Sequence, residues 1–204
     1  MRSFVVLGQT ALASDDFALD DLPSTSGRID VLLRCVRAAV LFSHGIRHDV
    51  VVYLVLGGGG RAPRVLRLRG ADAKFVRPDE RSLATLVKKV LATRVDGHTS
   101  GFVDVRPGIA IASGGLKLVL LDVEGSAMYV LEEGASDLRD EPPWLGNASF
   151  FLGDHRGFDR STRAELARAG VRPISVGPVS LHTEDAIAIV SNEIDRRAAR
   201  LMNG

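Results

Sequence analysis

The chain has 204 residues, 46% of them hydrophobic and 25% charged, with a formal charge of +1. That balance suits a globular domain with a sizeable core and excludes global electrostatic attraction to nucleic acid, so any basic surface must be local. The single cysteine, Cys35, excludes an intramolecular disulfide and a multi-cysteine zinc site, and no apolar run approaches a membrane span.

The expected elements alternate along the chain. Residues 3–7 read as a strand rather than a signal peptide, because the apolar patch is short and turns acidic. "ASDDFALDDLPSTSG" is an acidic loop ending in turn residues. Ile29, Leu32, Leu33, Val36 and Val40 recur at helical spacing and predict a helix over 28–46, with Cys35 in its core face. "VVVYLVL" (50–56) is a buried strand, "GGGG" (57–60) a turn, and "RVLRLRG" a partly exposed strand. "RPDERSLATLVKKVLA" opens with Pro78 and acids in its first turn, which predicts a helix. A loop at 97–101, a strand at 108–112 and a helix from about 116 follow. "SAMYVLEE" and "ASFFLGD" are strands separated by the loop "GASDLRDEPPWLGN". A short helix closed by Gly170, the strand "VRPISVG" and a helix over about 184–201 complete the chain. This alternation predicts one α/β domain over 1–204 with a largely parallel sheet.

Several chemistries lack their motifs. The glycines at 57–60 follow a strand but lead to another strand and lack a Gly-Lys-Ser/Thr ending, so they read as a connection rather than a phosphate loop. Asp154, His155 and Asp159, and His182, Glu184 and Asp185, show no metal spacing, so no metal is expected. Gly114-Gly115-Leu116 has no serine between its glycines and is no hydrolase elbow.

Three strand ends are more informative. "YVLEEG", "FFLGDHRG" and "ISVGPVSLHTED" each place glycine or proline and small polar groups where parallel sheets bind ligands. They predict either a small-molecule site walled by Leu131, Leu152 and Leu181 or three ordinary turns. Arg61, Arg64, Arg67 and Arg69 precede Lys74, Arg77 and Arg81. These form either a contact for an anionic polymer or a solvated face paired with Asp72, Asp79 and Glu80.

Six blocks in order carry a family resemblance: "SDDFALDDLPSTSGRIDVLLRCV" with Gly27-Arg28-x-Asp30 at its centre, "AVLFSHGIRHDVVVYLVL", "VRPDERSLATLVKKVL", "PGIAI", "FFLGDHRG" and "VGPVSLHTEDAIAIVSNEID". The chain resembles the archaeal-type tRNA pseudouridine N1-methyltransferases of the SPOUT superfamily. The resemblance implies a C-terminal trefoil knot, with the knotted, cofactor-binding part over about 126–204. It implies S-adenosylmethionine as cofactor, held by Leu131, Gly153, Val176, Gly177, Pro178, Val179, Ser180, Leu181 and Ala186. The family often has cysteine where Ala186 stands, and His-Ala-Asn/Asp-His at 182–185 where this chain has His-Thr-Glu-Asp.

By the same resemblance, Arg28 and Asp30 are the catalytic candidates and Asp154 a second one. Asp30 either accepts the N1 proton or orients Arg28; Asp154 either reacts or caps a turn. Lys74, Arg77 and Arg81 are expected to bind the RNA backbone. The implied reaction is N1-methylation of pseudouridine 54 in the tRNA T loop, by a cytoplasmic homodimer with no membrane or DNA partner. The alternatives are pseudouridine in rRNA and a non-catalytic RNA-binding relative. On the last helix, Ile187, Val190, Ile194, Ala198 and Leu201 form a stripe that suits burial in its own core or against a partner.

Overall fold

The structure, a computed structural model, describes residues 1–95, 101–142 and 146–202; the loop expected at 97–101 lies almost entirely outside them. Chain order is β1 (Arg2–Leu12), α1 (Leu22–Thr25), α2 (Ile29–Val40), β2 (Leu41–Phe42), β3 (Gly45–Ile46), β4 (Val50–Gly58), β5 (Arg64–Arg69) and α3 (Glu80–Leu91). It continues with β6 (Val103–Arg106), β7 (Ile109–Ser113), α4 (Leu116–Asp122), β8 (Ala127–Leu131), β9 (Ala148–Gly153), α5 (Arg160–Arg168), β10 (Arg172–Ile174) and α6 (Thr183–Met202).

The main sheet has the order β10-β8-β9-β1-β4-β5-β7-β6. β10, β8, β9, β1 and β4 run parallel, whereas β5, β7 and β6 pair antiparallel. The sheet is thus mostly parallel, as expected, with an antiparallel flank that the alternation pattern did not reveal. Side chains of β1 alternate between two layers, as the strand pleat requires. Phe4 and Val6 join a core with α2, α3 and α6, while Val5 and Leu7 join one with α4 and α5. Burial on both faces explains why the central strands read as continuous apolar runs.

The boundaries differ from expectation in three places. The helix predicted over 28–46 stops at Val40, and β2 and β3 form a small hairpin instead. Ser43, His44 and Gly45 favour a turn over another helical turn. β6 has little apolar character and was not foreseen. β1 runs to Leu12, well past residue 7, because its end is irregular: Gly8 pairs with Leu56 but Leu12 with Gly58. β1 therefore carries two extra residues there, a β-bulge that strand periodicity cannot anticipate.

Glycines crowd around this bulge. A Cβ on Gly27 would lie 1.9 Å from the Thr10 carbonyl oxygen, and one on Gly58 2.1 Å from the same atom. The glycine run therefore serves close backbone packing. α6 is fastened by ions as well as apolar contacts. The Arg2 side chain, 5% exposed, lies 2.6 Å from Asp49 and 2.8 Å from Asp195, and donates to the Ser191 carbonyl at 3.1 Å. Ile187 and Val190 are fully buried against α2, whereas Leu201 is 70% exposed. The stripe on the last helix thus splits: its first half faces the core of its own chain.

These contacts predict that Gly58→Ala destabilises the protein by at least about 2 kcal/mol in urea melts, through a forced shift of buried backbone. Gly60→Ala, whose Cβ meets nothing within 4 Å, should change stability by less than about 0.5 kcal/mol.

Candidate functional site

The C-terminal ends of β8, β9 and β10 converge on a cleft of about 420 Å³, within the range of small-molecule sites. Of the nine residues expected to hold a cofactor, Leu131, Gly153, Val176, Gly177, Val179, Ser180, Leu181 and Ala186 line this cleft; Pro178 does not. Leu152, Glu132, Glu133, Phe158, Arg163, Ser175 and Thr183 complete the wall. Arg163 pairs with Glu132, and its guanidinium lies 5.8 Å from the centre of the Phe158 ring. None of these three had been singled out, because each falls in an ordinary polar or helical stretch.

The two expected glycines serve different ends. A Cβ on Gly153 would lie 2.6 Å from the Gly157 backbone, so Gly153 lets the loop after β9 fold back on itself. Gly153 also lines the cleft, as the resemblance implied. Gly177 has φ 146° and open space where a Cβ would project, which fits a backbone shaped toward the cleft. The Ser175 hydroxyl donates to the Gly177 carbonyl at 2.9 Å and accepts from its amide at 3.1 Å. Thr183, opening α6, donates to the Gly153 carbonyl at 2.8 Å and so ties two walls together.

Asp154 is buried just beyond Gly153. Its two carboxylate oxygens accept the backbone amides of Gln9 and Arg156, each at 2.8 Å. Those bonds make it a turn-shaping residue. Gln9 also donates through its side chain to the Gly157 carbonyl at 2.8 Å, and Thr10 to the Gly27 carbonyl at 2.9 Å. The bulged end of β1 thus links the cleft to the segment carrying Arg28.

Arg28 precedes α2 in the left-handed region, φ 72°. Its guanidinium donates to both Asp30 oxygens, at 2.9 and 3.1 Å. The Asp30 side chain is 4% exposed and that of Arg28 39%. Arg34, one helical turn on, lies 3.1 Å from Asp30 and 2.8 Å from Glu184 on α6. Burial alone would raise the Asp30 pKa, but the hydrogen bonds from Arg28 and Arg34 outweigh it and hold the carboxyl below its usual value. An ionised carboxylate held by two guanidiniums is a poor proton acceptor and a good anchor. The i, i+4 spacing of Asp30 and Arg34 was visible in the sequence, but the partner on α6 was not. Glu184, which departs from the family pattern, has a structural role in this network. Cys35 lies in the core, where burial pushes its thiol up.

The basic cluster divides. Arg64 is buried and donates to the carbonyls of Ala13, Leu91 and Thr93. Arg61, Arg67 and Arg69 pair with Asp15, Asp122 and Asp72. Lys74, Arg77 and Arg81 are exposed, and among the described residues none of them makes an ion pair. Asp79 caps α3 by accepting from the Ser82 amide at 2.8 Å. Among the described residues no group of three or more His, Cys, Asp or Glu could hold a metal ion, and no helix is long and apolar enough to cross a membrane.

Residues 1–199 match a family model described as "Putative SAM-dependent RNA methyltransferase". A tRNA (pseudouridine(54)-N(1))-methyltransferase of Methanosarcina acetivorans is 38% identical over 199 residues, covering 98% of this chain and 93% of that protein. The Halobacterium salinarum protein of the same name is 39% identical over 195 residues, covering 96% of each. Among solved structures, Archaeoglobus fulgidus Nep1 bound to S-adenosylhomocysteine shares the fold, with a TM-score of 0.66 at 16% identity over 97% of this chain and 99% of that one.

The ion network yields a stability prediction. The lowered Asp30 pKa means its contribution is present above about pH 4 and is lost as pH falls through the folded value. Asp30→Asn should therefore cost about 2–3 kcal/mol at pH 7. The gap to wild type in urea melts should narrow as the pH falls below about 4.

Proposed function

We propose that this chain, which belongs to the family of S-adenosylmethionine-dependent RNA methyltransferases whose relatives include the archaeal tRNA (pseudouridine(54)-N(1))-methyltransferases, methylates N1 of pseudouridine 54 in tRNA. The observation that carries this reading is near-full-length similarity to proteins of that one name. The cleft at the parallel strand ends agrees with it.

The cleft fits the cofactor. Leu131, Leu152, Val176 and Leu181 offer apolar contact for a flat base, and the open backbone at Gly177 offers polar groups. Glu132 and Glu133 suit an ammonium group, and Arg163 a carboxylate. Bound there, S-adenosylmethionine would supply an electrophilic methyl to N1, its sulfur keeping the electrons of the broken bond as S-adenosylhomocysteine. N1 must also lose its proton, and negative charge develops on the adjacent carbonyl as it does so. Arg28, held rigidly by Asp30 but substantially exposed, is positioned to stabilise that charge. Asp30 acts as the positioning residue, and the proton leaves to water.

Lys74, Arg77 and Arg81 bind the RNA backbone, supported by their freedom from ion pairs among the described residues. The C-terminal part, from about residue 126, is a trefoil knot. Supporting it, β10 lies beyond β8 from β9, and the chain after β10 bridges to Asp137. The enzyme is a cytoplasmic homodimer, which suits the exposed Val179, Leu181, Leu201 and Met202.

With labelled S-adenosylmethionine, T-arm RNA carrying pseudouridine at position 54 should accept a methyl group, whereas the uridine counterpart should not; equal labelling would refute the assignment. Arg28→Gln should lower kcat by roughly 10²–10³-fold with little change in cofactor affinity. Single alanine substitutions at Lys74, Arg77 or Arg81 should each lower the slope of log affinity against log salt by about 0.7–0.9, measured by RNA titration.

A further inference from the structure

Two non-glycine residues among those described have positive φ: Arg28, at the proposed reaction centre, and Phe75 at φ 59°. A left-handed backbone is unfavourable for a large side chain, and such outliers gather at functional sites. Phe75 is also 86% exposed, more than any other large hydrophobic side chain among the described residues. Both features count against phenylalanine at this position.

The surrounding chain enforces the conformation. Ala73 and Val76 are each only 8% exposed. The Ala73 amide donates to the Arg69 carbonyl at 3.0 Å, and Gly108 packs so closely that a Cβ there would come within 2.4 Å of the Ala73 nitrogen. With both flanks pinned, the chain between them turns outward and presents the ring. Lys74 and Arg77 flank it, and both are exposed. Among the described residues the ring has no aromatic or cation–π partner, unlike Phe17, Phe42, Phe102 and Phe158. Three residues on, Pro78 lines a groove of about 790 Å³ together with Arg34, Arg37 and Glu184. Arg34 also pairs with Asp30, so the groove runs from the segment after Phe75 to the ion network that holds Arg28.

We propose that Phe75 is a stacking platform for an unpaired nucleobase of the substrate RNA, next to the nucleotide that is methylated. The proposal rests on the RNA methyltransferase reading above. An enzyme acting on a base must take it out of its stack, and its neighbours then lose a stacking partner. An exposed aromatic ring between cations supplies a replacement face and neutralises the nearby phosphates. The cations around Phe75 favour this occupant over a second copy of a chain that carries the same positive charges there.

The test compares wild type with Phe75→Ala, Phe75→Trp and Phe75→Gly in titrations of pseudouridine-containing T-arm RNA, with cofactor affinity, melting temperature and solution mass as controls. Phe75→Ala should weaken RNA binding roughly five- to hundredfold, with the salt slope and cofactor affinity unchanged. Phe75→Trp should restore binding to within about twofold of wild type, and its fluorescence should be quenched by RNA beyond the wild-type response. Phe75→Gly should melt no lower than wild type while losing RNA affinity, since glycine accepts the left-handed backbone. Wild-type RNA affinity in Phe75→Ala would overturn the proposal, as would a change in solution mass in place of the affinity loss. A wild-type protein that binds no RNA would overturn the methyltransferase reading and this proposal with it.

Discussion

The bulged end of β1 is the constraint on which the rest of the site depends. Gln9 and Thr10 occupy a place where two other chain segments press against bare backbone, and only glycines at 27, 57 and 58 allow that approach. A parallel strand paired regularly to its end would offer its neighbours only ladder hydrogen bonds. The bulge frees the Gln9 amide for Asp154 and the Thr10 side chain for Gly27. One irregularity therefore fixes the floor of the cleft on one side and the start of α2 on the other. The left-handed conformation of Arg28 follows from where that start must lie.

The charged network works in the same direction. Arg28, Asp30, Arg34 and Glu184 run from the start of α2 to α6. Such pairs are costly to break by removing one partner, yet contribute little more than packed apolar groups would, because desolvation offsets the attraction. Their worth here is directional. Asp30 fixes the Arg28 guanidinium through two hydrogen bonds, and Arg34 restrains Asp30 in turn. Glu184 thereby reaches an arginine across the helix interface and does not line the cleft, whose wall on α6 comes from Thr183 and Ala186.

Much of this arrangement was legible in the sequence, for identifiable reasons. Runs of β-branched residues announce strands buried on both faces, and Gly-Pro or Gly-Asp breaks announce their ends. The three loops that line the cleft were visible because the chemistry of a strand end is local. Whatever depended on contacts between distant segments was hidden. Nothing near Gly153 reveals that Gly157 folds back over it, and nothing near Arg64 reveals the three carbonyls that draw it inward. The basic patch looked uniform as sequence; the fold sorted it by giving four arginines internal partners and leaving Lys74, Arg77 and Arg81 exposed. The helix beyond Val40 was overextended because its apolar spacing continues into residues that the hairpin β2–β3 uses instead.

The position of β1 has a consequence for the order in which the chain can be completed. Its two neighbours are β4, about fifty residues away, and β9, which begins at Ala148. During synthesis the first half can pair β1 with β4 and cover one face with α2 and α3. The other edge of β1 then stays open until most of the chain has emerged. Pairings of such long range form slowly, and an open apolar edge is a place where nascent chains associate wrongly. The walls of the cleft come from β8, β9, β10 and α6, so they assemble last. A partly made chain could thus present Lys74, Phe75, Arg77 and Arg81 well before the cleft was complete.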